Sequence, residues 1–197
     1  LVAISPNVYR YPARGIYDGE TLTFRRDARG RATEVKVGAV VFKRRAVGPA
    51  DGKIFRIKPL KPVDELRNEA LAAQPPQESG NFKPADLVEL TTIDPSIKLD
   101  IRYATTNDFL STPVYRQARA FMERPAAEAV ARASRELHKQ GFGLLIHDAY
   151  RPWYVTKIFW DASPEPDRLF VADPSQGSRQ NRGSAVDLTL YELFTGR

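Results

Sequence analysis

The heptapeptide Gln74-Pro75-Pro76-Gln77-Glu78-Ser79-Gly80 is a place that neither a helix nor a sheet strand can run through. Its paired prolines remove two backbone donors and disfavour helix in the residue before each, and Gly80 adds backbone freedom. A chain broken in this way folds as two regions joined by a linker. The patterns on the two sides differ accordingly. On the N-terminal side apolar residues recur at period two, as Leu22 and Phe24, Val35 and Val37, then Val40 and Phe42, the spacing of strands. Ile54, Arg56 and Lys58 extend the alternation to a further expected strand. Asp27-Ala28-Arg29-Gly30 reads as a hairpin turn and Ala46 to Gly52 as a second turn region. Val63 to Ala73 then reads as a short helix, with Asp64 and Glu65 near its positive N-terminal end.

On the C-terminal side helices enter. Strands are expected over Leu87 to Ile93 and Ile97 to Tyr103. A helix is expected from Pro125 to about Gln140, because proline suits the first helical position and Gly141 supplies the stop. Val130, Ala133 and Leu137 fall on one face of it. Phe142 to His147 reads as a buried strand and Asp148-Ala149-Tyr150-Arg151-Pro152 as its exit loop, followed by a second helix carrying Trp153, Ile158, Phe159 and Trp160. The expected fold class is α+β: an antiparallel or mixed central sheet with flanking helices, preceded by a small all-β N-terminal appendage. The expected division is a basic, β-rich appendage with a short helix over 1–75, a linker over 76–85 and the α+β domain over 86–197.

Charge and composition exclude several classes of function. Residues 1–58 hold 13 Lys and Arg against 5 Asp and Glu, a net of +8, while the remainder is slightly acidic. Such a segment suits an anionic partner. Here, however, Arg25, Arg26, Lys36, Lys43, Arg44 and Arg45 alternate with apolar residues, the pattern of solvated strand faces, and no nucleic-acid partner is expected. Without cysteine there is no disulfide and no thiolate metal site. No apolar run approaches the roughly 18 residues of a membrane span.

Candidate chemistry concentrates in two places. Ser178-Arg179-Gln180-Asn181-Arg182-Gly183-Ser184-Ala185-Val186-Asp187 combines small residues, two cations and a carboxylate ahead of the β-like run Leu188-Thr189-Leu190. Small residues admit close backbone or ligand approach, and a carboxylate at a strand entrance can hold a metal or an ammonium group. A surface loop leading into an ordinary strand is the plainer reading. Arg151, stiffened by Pro152, can present paired donors to a carboxylate or an oxyanion; an ion pair with Asp148 is its plainer role. His138 is expected to be exposed on the polar side of its helix, and His147 to order its loop. No nucleophile elbow, phosphate loop, His-Glu-x-x-His or dinucleotide fingerprint is present.

Asp100-Ile101-Arg102-Tyr103-Ala104-Thr105-Thr106-Asn107-Asp108-Phe109, Val114-Tyr115, Ile146-His147-Asp148-Ala149-Tyr150-Arg151-Pro152 and the run from Ser178 to Leu190 follow one another over residues 86–197. In order and spacing they resemble the zinc D-alanyl-D-alanine dipeptidases, known from vancomycin resistance and related to the D-Ala-D-Ala carboxypeptidase-like metallopeptidases. The resemblance implies zinc-dependent hydrolysis of the D-alanyl-D-alanine dipeptide in peptidoglycan precursors or turnover, in a bacterial setting, periplasmic or exported with the cytoplasm as the alternative. On the family motif Ser-x-His-x-x-Gly-x-Ala-x-Asp, Asp187 falls on the carboxylate ligand of Zn2+ and Ser178 on a substrate-pocket serine. Tyr103 falls on a substrate-contacting tyrosine, Arg151 on the arginine that stabilises the oxyanion, and Gly183 and Ala185 on the small residues that allow close packing.

Gln180 stands where the family has its ligand histidine, and a neutral amide competes poorly with imidazole for zinc. The family's Glu-x-x-His near the C-terminus has no counterpart before Arg197, so that motif is expected from a further segment or a second chain. The chain as given is therefore expected to be inactive. The alternative is a degenerate, non-catalytic module that binds D-Ala-D-Ala ends of peptidoglycan. Tyr17-Asp18-Gly19-Glu20-Thr21-Leu22-Thr23-Phe24, with the turn after it, resembles the β appendage at the C-terminus of some serine β-lactamase-like hydrolases, which implies a later part of a longer, exported protein.

Overall fold

The computed structural model describes residues 1–11, 19–38, 40–44 and 55–196. Its contacts divide the chain into two compact units, Leu1–Lys53 and Ile54–Arg197.

The first unit is an antiparallel sheet in sequence order: β1 (Val2–Ser5), β2 (Val8–Arg10), β3 (Thr21–Arg26), β4 (Ala32–Val37) and β5 (Val40–Lys43). The expected all-β appendage is present, with two more strands, β1 and β2, than the period-two pattern announced. The register pairs Leu22 with Val37, Phe24 with Val35 and Val35 with Phe42. Alternation then puts these side chains and Tyr9 on one face and Arg10, Arg25, Lys36 and Lys43 on the other. The β3–β4 turn forms as its residues dictate. Asp27 Oδ1 accepts from the backbone N–H groups of Arg29 and Arg31, each at 3.0 Å, and Gly30 takes φ +75°. The Ala46 to Gly52 turn region lies outside the described residues, as does Ile54. Residues 55–58 form no strand; the Ile57 N–H instead donates to the Phe109 carbonyl at 2.9 Å.

The second unit is mixed α+β. Helix α1 (Val63–Ala72) is followed by β6 (Leu87–Glu89), α2 (Leu90–Ile93), β7 (Lys98–Leu99), β8 (Phe121–Glu123), α3 (Arg124–His138), β9 (Phe142–Asp148), α4 (Trp153–Ala162) and β10 (Asp187–Glu192). β9 lies at the centre of a three-stranded sheet, antiparallel to β10 and parallel to β7, and β6 pairs with β8 in a second, two-stranded sheet. Among the described residues no helix is long and apolar enough to cross a membrane.

Two cores support these elements. Val63, Leu66 and Ala70 of α1 pack with Leu110, Val114 and Val155, Ile158, Phe159 and Ala162 of α4. Leu90, Ile97, Ile101, Met122, Ala127, Leu144 and Ile146 form the other, and Tyr115 packs against both. The first core moves the boundary expected from the linker. Helix α1 buries its apolar stripe against α4, so residues 55–73 contribute to the second unit, and burial overrides the composition break at 74–80. At ~25 cal/mol per Å² of apolar surface, seating a leucine such as Leu66, 1% exposed, stabilises by about 1.5–3 kcal/mol.

Three local expectations shift. The strand over 87–93 ends at Glu89, where the single helical turn of α2 begins directly after the last ladder pair. The strand over 97–103 shrinks to Lys98–Leu99 and passes into a 3₁₀ turn at Arg102–Ala104. On α3 the buried line is Ala127, Ala131 and Ser134, while Val130 and Leu137 flank it and Ala133 is exposed. Of these, Ala127 packs in the same core as Met122 and Leu144. The same rotation leaves His138 half-buried beside Asp94 rather than exposed. Gly143 is dictated by its neighbour across the sheet, since a Cβ there would fall 2.4 Å from the Tyr191 ring.

Candidate active site

β9 and β10 bring two carboxylates together at one sheet end. Asp148 closes β9, Asp187 opens β10, and the register pairs them, with an irregularity after Asp187 that re-aims its side chain. Beyond β9 the chain is pinned by the Tyr150 N–H to the Phe121 carbonyl at 2.8 Å and by the Arg151 N–H to the Gln180 carbonyl at 3.0 Å. Pro152 then starts α4. Arg151 is therefore held before its side chain makes any contact.

Arg151 and Asp148 form a buried ion pair. Asp148 Oδ2 accepts from Arg151 Nε at 2.8 Å and Nη2 at 2.6 Å, and Oδ1 accepts from the Tyr115 hydroxyl at 2.8 Å and the Ala149 N–H at 2.9 Å. Burial pushes the Asp148 carboxyl above the usual aspartate range, while Arg151, Tyr115 and the Ala149 N–H pull it down. Burial would likewise lower the Arg151 guanidinium, but Asp148 and the neighbouring tyrosines lift it above the usual range. Its plane lies 5.7 Å from the Tyr103 ring centre and 5.1 Å from that of Phe159. Burial raises the Tyr103 hydroxyl to about 12, so it stays protonated at neutral pH.

The 178–187 loop is built around Asn181, which sequence reasoning missed. Ser178 and Asn181 exchange bonds, the Ser178 N–H to Asn181 Oδ1 at 2.9 Å and the Asn181 N–H to Ser178 Oγ at 3.1 Å. Asn181 Nδ2 reaches the Arg151 carbonyl at 2.8 Å and Thr156 Oγ1 at 2.9 Å, tying the loop to α4. A 3₁₀ turn at Gln180–Arg182 ends in Gly183 at φ +62°, where a Cβ would meet Leu87 Cδ2 at 2.8 Å. That explains the small residue in the motif. An asparagine among polar loop residues carries no periodic signal; only its partners on α4 reveal it.

These anchors place Gln180 against Asp187. Gln180 Nε2 donates to Asp187 Oδ2 at 2.7 Å, and Arg151 Nη2 lies 3.7 Å from the same oxygen. Tyr103, Arg151, Gln180 and Asp187 line one cleft of about 400 Å³, whose other walls include Phe55, Phe109, Phe159 and Phe170 beside Ser163 and Asp167. Ser178 is not among the lining residues; its hydroxyl serves the loop. A smaller hollow of about 180 Å³ on the other side of Tyr103 includes His147 and Asp108. His147 Nδ1 sits 3.4 Å from both the carbonyl and Oδ2 of Asp100, consistent with an ordering role for that loop.

The donor set does not fit a zinc ion. Zinc sites take thiolate, imidazole and carboxylate, three or four together. Here Asp187 faces an amide N–H and a guanidinium, both donors that compete for its lone pairs. Among the described residues no group of three His, Cys, Asp or Glu is placed to hold a metal.

The Peptidase M15 family model, described as D-ala-D-ala dipeptidase, matches residues 83–197. The chain is 35% identical over 107 residues to a D-alanyl-D-alanine dipeptidase of Escherichia coli (strain K12), 54% of each chain. It is 36% identical over 121 residues to D-alanyl-D-alanine dipeptidases of Enterococcus faecium and Streptomyces coelicolor, covering 51% of this chain and 58% of each relative. The chain thus spans about half the length of the curated relatives it matches. With the strand-end carboxylates, the buried arginine and the 178–187 loop all falling inside the matched span, the chain belongs to the D-Ala-D-Ala dipeptidase family of M15 peptidases.

Proposed function

We propose that the second unit recognises D-alanyl-D-alanine, as the free dipeptide or as the end of a peptidoglycan-derived peptide, and that Gln180 turns a hydrolytic site into a binding one. The Gln180–Asp187 hydrogen bond carries this reading. Glutamine occupies roughly the space of the family's histidine, but the group it turns to Asp187 is a donor, so the carboxylate is committed to hydrogen bonding. Recognition needs only what the site retains. Arg151 lines the cleft and its guanidinium can take a ligand carboxylate through paired donors. Asp187, whose side chain is 55% exposed, can take a ligand ammonium.

Calorimetry with D-alanyl-D-alanine against L-alanyl-L-alanine tests the proposal. Saturable heat for the D,D form alone is expected, and equal or undetectable heats for both would defeat it. Zinc-dependent hydrolysis of the dipeptide is the second reading. It is favoured by Asp187 and Arg151, which the family resemblance assigns to metal binding and oxyanion stabilisation and which stand 3.7 Å apart.

A further inference from the structure

The cleft beside Arg151 has more apolar wall than two alanine methyl groups can use. Phe55, Tyr103, Phe109, Phe159 and Phe170 border its volume of about 400 Å³, with Arg151, Gln180, Asp187, Ser163 and Asp167 as its charged and polar lining. The rings form two groups, Tyr103 with Phe109 and Phe159, and Phe55 with Phe170. Phe109 and Phe159 stand 5.1 Å apart, Tyr103 and Phe159 4.8 Å, and Phe55 and Phe170 6.1 Å. Phe159 is buried in the α1–α4 core, with Tyr103 and Phe109 packed against it, so the first group is anchored to the fold. In the second group Phe170 is 55% exposed, and its neighbour Leu169 is 72% exposed. Large apolar side chains left in water at the rim of a cleft are a mark of an apolar ligand group.

Building on the recognition reading above, we infer that the preferred ligand carries a bulky apolar side chain on the residue bearing its free carboxylate. The carboxylate pairs with Arg151, whose guanidinium lies over Tyr103 and Phe159, so the side chain next to that carboxylate is the one delivered to the rings. A methyl group there leaves the outer rings wet, whereas a benzyl group reaches Phe170 and displaces that water. Each methylene-sized gain in such a pocket is worth roughly 10-fold or more in affinity.

Calorimetry of the whole chain with D-alanyl-D-alanine and D-alanyl-D-phenylalanine tests this, on native protein and on Phe170→Ala. Because Phe170 is more than half exposed, the variant is expected to keep the native melting temperature. The native protein is expected to bind D-alanyl-D-phenylalanine at least about tenfold tighter. Phe170→Ala is expected to lose more affinity for that ligand than for D-alanyl-D-alanine. Equal or weaker binding of the phenylalanine dipeptide, with D-alanyl-D-alanine still bound, overturns the inference and leaves the recognition reading standing. A preference that survives intact in both Phe170→Ala and Phe55→Ala also overturns it. Binding of the phenylalanine dipeptide alone supports the inference and removes the D-alanyl-D-alanine reading, and binding of neither removes both.

Discussion

Gln180 Nε2 lies 2.7 Å from Asp187 Oδ2, the amide of a 3₁₀ turn against the first carboxylate of a strand. The contact follows from two anchors outside the pair. Arg151 donates its backbone N–H to the Gln180 carbonyl, and Asn181 ties the next position to Arg151 and Thr156. The site is thus assembled by the backbone of the loop and the start of α4 before any ligand arrives. Removing the bond with Gln180→Ala is expected to leave the melting temperature within a few degrees of native, since a partly exposed pair contributes about 1 kcal/mol or less. Thermal unfolding of that variant checks it.

Leu66 is the clearest marker of where the second unit begins. Leu66→Ala is expected to cost about 2–5 kcal/mol, as for other buried leucines, because α4 cannot collapse onto the gap. A chain starting at residue 76 should lose cooperative unfolding, while one starting at residue 55 keeps it. Denaturant melts of the three proteins distinguish this from a boundary at the proline-rich linker, under which Leu66→Ala would leave the dipeptidase-like unit unchanged.

The buried pair of Asp148 and Arg151 sets an order of sensitivities. Asp148→Ala strands a guanidinium at 7% exposure and is expected to cost about 3–5 kcal/mol. Tyr115→Phe removes one of four donors to the carboxylate and is expected to cost about 1–2 kcal/mol. Chemical denaturation of both variants, read as midpoint at unchanged slope, gives the comparison; a larger loss for Tyr115→Phe would contradict the assignment of Arg151 as the main partner.

Asp108 supplies a pH dependence of known sign. Burial raises its carboxyl above the unfolded value, against the pull of the backbone N–H groups of Leu110, Thr112 and Ser111. The folded chain therefore holds this proton at pH values where the unfolded chain has released it, and its contribution to stability falls as pH rises from the unfolded aspartate value through the raised folded one. Asp108→Asn keeps an oxygen for the Leu110 N–H at 2.8 Å and cannot ionise. The melting temperature of the variant minus that of native protein is expected to increase as pH rises from about 4 through the raised folded value and then level off; a flat difference would contradict the raised value.

Local chemistry made α3, β9, α4 and the 27–30 turn legible, because proline, glycine and alternation act within a few residues. The three-residue strand β8 was not legible, since three residues hold too little period to register and its partner β6 lies 30 and more residues away, whereas β6 falls inside the strand expected from Leu87. The allegiance of α1 was hidden for a related reason: its apolar stripe fits either unit until α4 is in place. At the site, Arg151, Asp187, Gln180 and Tyr103, singled out from motif positions, all line one cleft, and Ser178 does not. Asn181 and the Tyr115 hydroxyl were not found, because their work is to hold other residues and appears only in three dimensions.

The most direct test measures D-alanine released from D-alanyl-D-alanine with added zinc, comparing native protein with Gln180→His and reading bound metal in parallel. Native protein is expected to release none and to hold no stoichiometric zinc, while the imidazole of Gln180→His raises bound metal by giving Asp187 a fellow ligand. Chelator-sensitive release of D-alanine by the native protein would contradict the conversion of this site from hydrolysis to recognition.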